Sequence, residues 1–157
     1  MSTTASRAVR DVLGTYVERT AALPPATGVS DDLFSVTGGV LVTGFYGLVT
    51  AAIPNESLDW TLDFDPDDAG SDVALATLLA VDNSAVGTWF SLPASTGGAL
   101  ESDVDVSDAF LIAAPLAMYA GDIKLTCAGG GAIGTTARVQ WGLTYLPLTS
   151  TGSVVAV

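Results

Sequence analysis

Few side chains in this sequence could carry chemistry. There is no histidine, one cysteine (Cys127), and five basic residues stand against seventeen acidic ones in 157. Proton transfer, nucleophilic attack and metal ligation near neutral pH mostly use His, Cys or a tuned Lys. Lys124 and Cys127 are the only groups that could serve, and both lie where Asp122, Lys124 and Thr126 alternate with Ile123, Leu125 and Cys127. That alternation reads as an ordinary half-buried strand. Cys127 then shares the apolar face and acts as a small buried hydrophobe. A lone cysteine excludes an internal disulfide and leaves the redox compartment open. The chain is read as a non-enzyme, and no cofactor is assigned.

Carboxylates are the next candidates. Asp63, Asp65, Asp67, Asp68 and Asp72 make the densest cluster. On a strand, Asp63 and Asp65 would sit about 7 Å apart on one face, a spacing open to calcium or to a glycosidase pair. An EF-hand loop from Asp63 fails, because Asp68 takes the glycine position and Ala74 that of the closing glutamate. Nothing nearby raises one carboxyl into a general acid. The default is a solvated strand end and turn, with calcium on Asp63, Asp65, Asp67 and Asp68 as its rival. Glu101, Asp103, Asp105 and Asp108 form a second strip, interleaved with Ser102 and Ser107. It reads as an exposed loop or an edge strand guarded by charge. No histidine is present to activate either serine.

Gly129, Gly131 and Gly134 satisfy the spacing of a dinucleotide fingerprint. That chemistry needs a following helix to hold the pyrophosphate, whereas residues 135–145 read as a strand. No acidic residue follows Asp122 to hold a ribose, and Thr135 stands where a P-loop requires lysine. The loop is read as a hairpin connection. Trp60, Trp89 and Trp141 could line a sugar platform, but Trp60 and Trp141 fall on the apolar sides of their strands and are assigned to the core. Trp89 stays open.

The formal charge is −12. Nucleic acid and anionic membranes are poor partners for such a surface. Arg7, Arg10 and Arg19 lie in the first 19 residues, and only Lys124 and Arg138 are basic thereafter. Residues 1–30 are read as an N-terminal helix or extended arm with a Pro-rich linker. Val9, Val12, Leu13, Tyr16 and Val17 have helical spacing, and Leu23-Pro24-Pro25 stops a helix. A basic arm could dock on an acidic neighbour, so Arg7, Arg10 and Arg19 are the candidate contacts. Deleting residues 1–22 is then expected to leave melting nearly unchanged.

Residues 31–157 read as the elements that must position these groups: an all-β, antiparallel β-sandwich, jelly-roll-like. Trp60, Leu62 and Phe64 alternate with acidic and threonine neighbours; Val139, Trp141, Leu143 and Tyr145 alternate with Arg138, Gln140, Gly142 and Thr144. Further strands are expected at 34–37, 40–50, 86–92 and near 110–112, while 73–81 suits a strand or a helix. The uncharged run Leu33–Asn55 is long enough for a membrane span, but its glycines and threonines break it into a hairpin.

Three segments resemble the small capsid decoration proteins of tailed phages, siphoviruses that infect actinobacteria. They are Arg19–Pro25 (RTAALPP) running into Leu33–Thr50 (LFSVTGGVLVTGFYGLVT); Leu62–Pro66 (LDFDP) with Val73–Thr77 (VALAT); and Gly121–Thr126 (GDIKLT) with Gly134–Leu148 (GTTARVQWGLTYLPL). The resemblance implies a β-sandwich that oligomerises, commonly as a trimer, on the outside of a capsid, with the major capsid protein as partner and no catalytic residues. Another virion component, in the tail or a minor capsid position, is the nearest rival. A calcium-dependent carbohydrate-binding module using the Asp63–Asp72 cluster and Trp89 is the rival from another class.

Overall fold

Side-chain alternation, inward apolar and outward polar, carries the longest strands. Leu58, Trp60, Leu62 and Phe64 point inward from one; Ile123, Leu125 and Cys127 from a second; Val139, Trp141, Leu143 and Tyr145 from a third. The computed structural model of the chain describes residues 14–22, 24–54, 58–68, 70–92, 98, 101–103, 115–129 and 136–157. Among them the strands are β1 (Thr15–Ala22), β2 (Ser30–Thr37), β3 (Val40–Ala51), β4 (Leu58–Pro66), β5 (Val73–Ala80), β6 (Trp89–Ser91), β7 (Glu101–Asp103), β8 (Leu116–Met118), β9 (Gly121–Gly129), β10 (Arg138–Pro147) and β11 (Ser153–Ala156).

They form two antiparallel sheets. Sheet A runs β1-β10-β3-β6-β7, with β8 also on β3; sheet B runs β11-β2-β9-β4-β5. The winding follows one rule. β4 pairs with β5, β3 with β6 and β8, β2 with β9, and β1 with β10. The chain therefore folds as a long antiparallel pair rolled into two layers, which is a double-sheet jelly roll with β11 added beside β2.

Aromatic rings fill the space between the sheets. Trp141 packs against Phe45 at 5.5 Å between centroids, Trp60 at 6.1 Å and Phe90 at 6.4 Å. Trp60 meets Phe90 edge-on at 5.4 Å. Each such pair adds about 0.5–1.5 kcal/mol beyond its buried area. Bulges tune the alternation: the register slips between Asp32 and Phe34, so Leu33 and Phe34 are both buried although adjacent.

The central pair of sheet A, β3 with β10, uses one device twice. Trp141 sits opposite Gly47, and Gly142 opposite Tyr46. A Cβ on Gly47 would come within 2.5 Å of the Trp141 indole, and one on Gly142 would overlap the Tyr46 ring. Each ring thus lies over the glycine of the other strand. Successive residues face opposite sides, so Trp141 covers its glycine inside the sandwich and Tyr46 covers its own outside.

Two connections cross between the sheets side by side. β2 turns into β3 at Gly38-Gly39, where Gly38 has φ +63°, a conformation that glycine adopts without steric cost. β10 turns into β11 through residues 148–152. The Gly39 carbonyl accepts the N–H groups of Leu148 (2.8 Å) and Thr149 (3.2 Å), and the Gly39 N–H donates to Thr149 Oγ1 (3.0 Å).

Several expectations change. Residues 33–51 do not make a hairpin, because β2 and β3 lie in different sheets. The glycine-rich connection after β9 is likewise a crossover between sheets, and residues 130–135 lie outside the described residues. Tyr16 and Val17 are in a strand, not a helix; Val9, Val12 and Leu13 lie outside the described residues. The expected division at residue 30 falls within the sandwich, since β1 bonds to β10 along its length. Deleting residues 1–22 would strip that strand, so melting should fall after all. Residues 73–80 resolve as strand β5. The strand expected near residues 110–112 lies outside the described residues. No helix among the described residues is long and apolar enough to cross a membrane.

Candidate functional site

The two outward faces differ in chemistry. On sheet B, β4 turns Asp59, Asp63 and Asp65 outward, β9 turns Asp122 and Lys124, and β2 adds Asp32. Lys124 lies opposite Asp63 and Asp32 in the ladders, and its ammonium pairs with the Asp65 carboxylate. That hydrogen bond, with the charges of Asp65, Asp32 and Asp72, raises the Lys124 pKa against a smaller opposing effect of burial. Burial pushes the Asp63 carboxyl up as well, with Asp72 adding to the shift and the Thr61 hydroxyl (3.4 Å) opposing it.

The calcium candidates diverge. Asp63 and Asp65 lie on the sheet, and Asp65 is engaged with Lys124. Asp67 and Asp68 are exposed in the β4–β5 turn, where Asp68 Oδ1 accepts the Gly70 N–H at 3.3 Å. No three carboxylates or thiolates among the described residues converge on a metal position. In the second acidic strip, residues 101–103 form the edge strand β7; Asp105 and Asp108 lie outside the described residues.

Arg19 faces inward from β1. Its Nη1 and Nη2 donate to the Asp31 carboxylate at 2.7 and 3.0 Å, and its Nε donates to the Val157 carbonyl at 2.8 Å. This fork ties sheet A to β2 and to the chain end beyond β11, across the open side of the sandwich. Arg19 is therefore engaged within the chain; Arg7 and Arg10 lie outside the described residues. Cys127 is buried and unbridged. Burial pushes its thiol up; the Trp60 indole N–H opposite acts in the other direction but lacks hydrogen-bond geometry. The thiol stays neutral and unreactive at pH 7.

Sheet A turns a different surface outward. Tyr16 on β1, Tyr46 on β3 and Trp89 on β6 make a diagonal row over four strands. Tyr16 and Tyr46 are nearly parallel (7°) with centroids 6.4 Å apart, and Trp89 lies 5.1 Å from Tyr46 with its plane tilted by 53°. The two phenol hydroxyls meet, and the Tyr16 hydroxyl donates to Glu18 Oε2 at 2.5 Å. Partial burial, then the Glu18 carboxylate and the Tyr46 hydroxyl, hold the Tyr16 phenol protonated well beyond its ordinary range. Thr144, Gln140 and Ser91 border the row. Trp60 and Trp141 are core rings, as their alternation predicts; Trp89 faces outward. The sugar-module reading therefore splits, because Trp89 and the Asp63 cluster lie on opposite faces. Sequence reasoning missed Tyr16 and Tyr46. The available signal was the pair of dipeptides Tyr46-Gly47 and Trp141-Gly142, which a β3–β10 register would set reciprocally.

The fold and its surfaces define an acidic jelly-roll sandwich with one aromatic outer face. No protein-family model, curated protein or solved structure matches the chain.

Proposed function

We propose that this protein is a structural virion component, a capsid decoration (cement) protein that binds the outer capsid surface and stabilises the shell. The observation that carries the reading is the winding. A jelly roll recurs in viral capsid proteins, lectin domains and cupins, and fold alone does not choose among them. The sequence resemblance favours the first. Its segments fall on the end of β1 and on β2–β3, β4–β5 and β9–β10, a set that includes the central strands of both sheets. The residue chemistry agrees: a chain without histidine, its one thiol buried and neutral, is suited to scaffolding rather than to catalysis. An acidic body suits the exterior of a shell better than its DNA-facing lumen.

In this reading the partners are the major capsid protein and further copies of the chain, most simply in a trimer, with Arg7 and Arg10 as shell contacts. Electron microscopy of the native particle tests it. Regularly spaced density for the sandwich on the outer capsid surface is expected. Density on the tail would favour the rival virion role, and density in the lumen or none on the particle would overturn the proposal. Light scattering at about 0.15 M salt, where screening is near physiological, should give an oligomer mass.

A further inference from the structure

The outward rings of sheet A lie outside the hydrophobic core. A jelly roll needs its rings between the sheets, and Trp60, Trp141, Phe45 and Phe90 meet that need. Tyr16 is nonetheless 49% exposed, and it lies nearly parallel to a Tyr46 that is fixed in place over Gly142. A substituted residue at position 142 would lift that ring off the sheet. The pair is thus preorganised, and Trp89 borders it at an angle of 53°.

We infer that the row Tyr16–Tyr46–Trp89, with Glu18 at its side, is a binding platform for a neutral saccharide chain. A pyranose has an apolar C–H face and a rim of hydroxyls. The negative face of an aromatic ring attracts the first; carboxylate, amide and hydroxyl groups bind the second. Both are present. The Glu18 carboxylate, Gln140, Thr144 and Ser91 edge the rings on this side of the sheet. A parallel pair of rings with a third, tilted ring beside it offers contacts to more than one sugar of a chain.

A protein partner fits less well. Tyr and Trp also occur at protein interfaces, but those centre on apolar pockets that exclude water, whereas the rings here are edged by Glu18, Gln140, Thr144 and Ser91, with Leu48 beside Trp89. A polyanionic glycan is disfavoured by the net charge of −12. The site uses none of the Asp63–Asp72 carboxylates, so binding is calcium-independent. It also does not depend on the shell-binding proposal, since a platform of this kind works on or off a particle.

Affinity electrophoresis of the full-length protein tests it, in native gels containing graded hydroxyethylcellulose, galactomannan or glycogen. Retardation in at least one gel is expected, unchanged by a chelator. Tyr16→Ala and Tyr46→Ala should each weaken it by about threefold to tenfold. Tyr16→Phe keeps the ring and should retain most of it, and Thr126→Ala on the opposite sheet should have no effect. Saturating the wild type with the retarding polysaccharide should also shift the tryptophan emission. Absence of retardation in all three gels would overturn the inference, as would undiminished retardation of both alanine variants. So would variants that change the oligomeric mass while leaving polysaccharide binding intact, because the face would then be a protein interface.

Discussion

Trp141 and Tyr46 occupy adjacent strands, each lying over a glycine of the other, yet one ring is sealed between two sheets and the other, half-buried, points away from the core. Inside, the indole joins Phe45, Trp60 and Phe90 in a continuous aromatic seam. Outside, the phenol stacks beside Tyr16 and meets Trp89 at a tilt. The same covering of a glycine by a ring stabilises the core in one case and holds the Tyr46 ring against the sheet beside Tyr16 in the other. What separates them is the side of the pleat on which each falls, and a period of two decides that.

The largest expected contrast comes from truncating the two rings. Trp141→Ala should cost about 3–5 kcal/mol, because it leaves a cavity in a packed seam. Tyr46→Ala should cost about 1 kcal/mol, near the centre of the range for single substitutions and fitting a half-buried ring, while weakening saccharide binding. Urea unfolding of both variants measures the difference.

The glycines invert that experiment. Gly47→Ala drives a methyl into an indole with nowhere to move, and overpacking of this kind costs about 1–3 kcal/mol. Gly142→Ala meets a ring that can swing into solvent, so its melting should shift by under about 1 kcal/mol. Its platform should fail nonetheless. Equal destabilisation by the two would break the comparison.

β1 shows how much of this was legible. The alternation in β4, β9 and β10 was plain, and with it the core assignment of Trp60, Trp141, Tyr145 and Cys127. β1 alternates too, with Tyr16, Glu18 and Thr20 outward and Val17, Arg19 and Ala21 inward. Two features hid it. Val9, Val12, Leu13, Tyr16 and Val17 match a helical period, and the inward set includes a charged residue whose partner, Asp31, is twelve positions away. β8 and β11 are three and four residues long, too short for a pattern. The glycines marked where the chain turns, but not which sheet it enters next, because that depends on long-range pairing. The outer row was hidden for the same reason, since its three rings come from strands far apart in sequence.

Arg19 offers a smaller test on the strand that carries Tyr16. Its side chain is 14% exposed and that of Asp31 30%. Arg19→Ala should destabilise by about 1–2 kcal/mol once partial solvent screening is allowed for, and should leave the outer row in place. Thermal melting and affinity electrophoresis on the same sample would check both halves.

The smallest effect concerns sheet B. The folded Asp63 carboxyl titrates above its ordinary value of 3.8, so the folded state binds more protons than the unfolded state in that window. Stability contributed by this group therefore falls as pH rises from about 4 through the folded pKa. Asp63→Asn should stabilise the protein at pH 7 by up to about 0.5 kcal/mol and flatten that part of the pH profile. Melting curves between acid and neutral pH would show it.

Acrylamide quenching of tryptophan emission tests the division between inner and outer rings most directly. The chain has three tryptophans, of which Trp60 and Trp141 are buried and Trp89 faces outward. The wild type should show a quenchable fraction and a shielded one, and Trp89→Phe should remove the quenchable fraction while melting stays near that of the wild type. If Trp89→Phe leaves the quenching unchanged, Trp60 or Trp141 is exposed, and the account of two opposed faces is wrong.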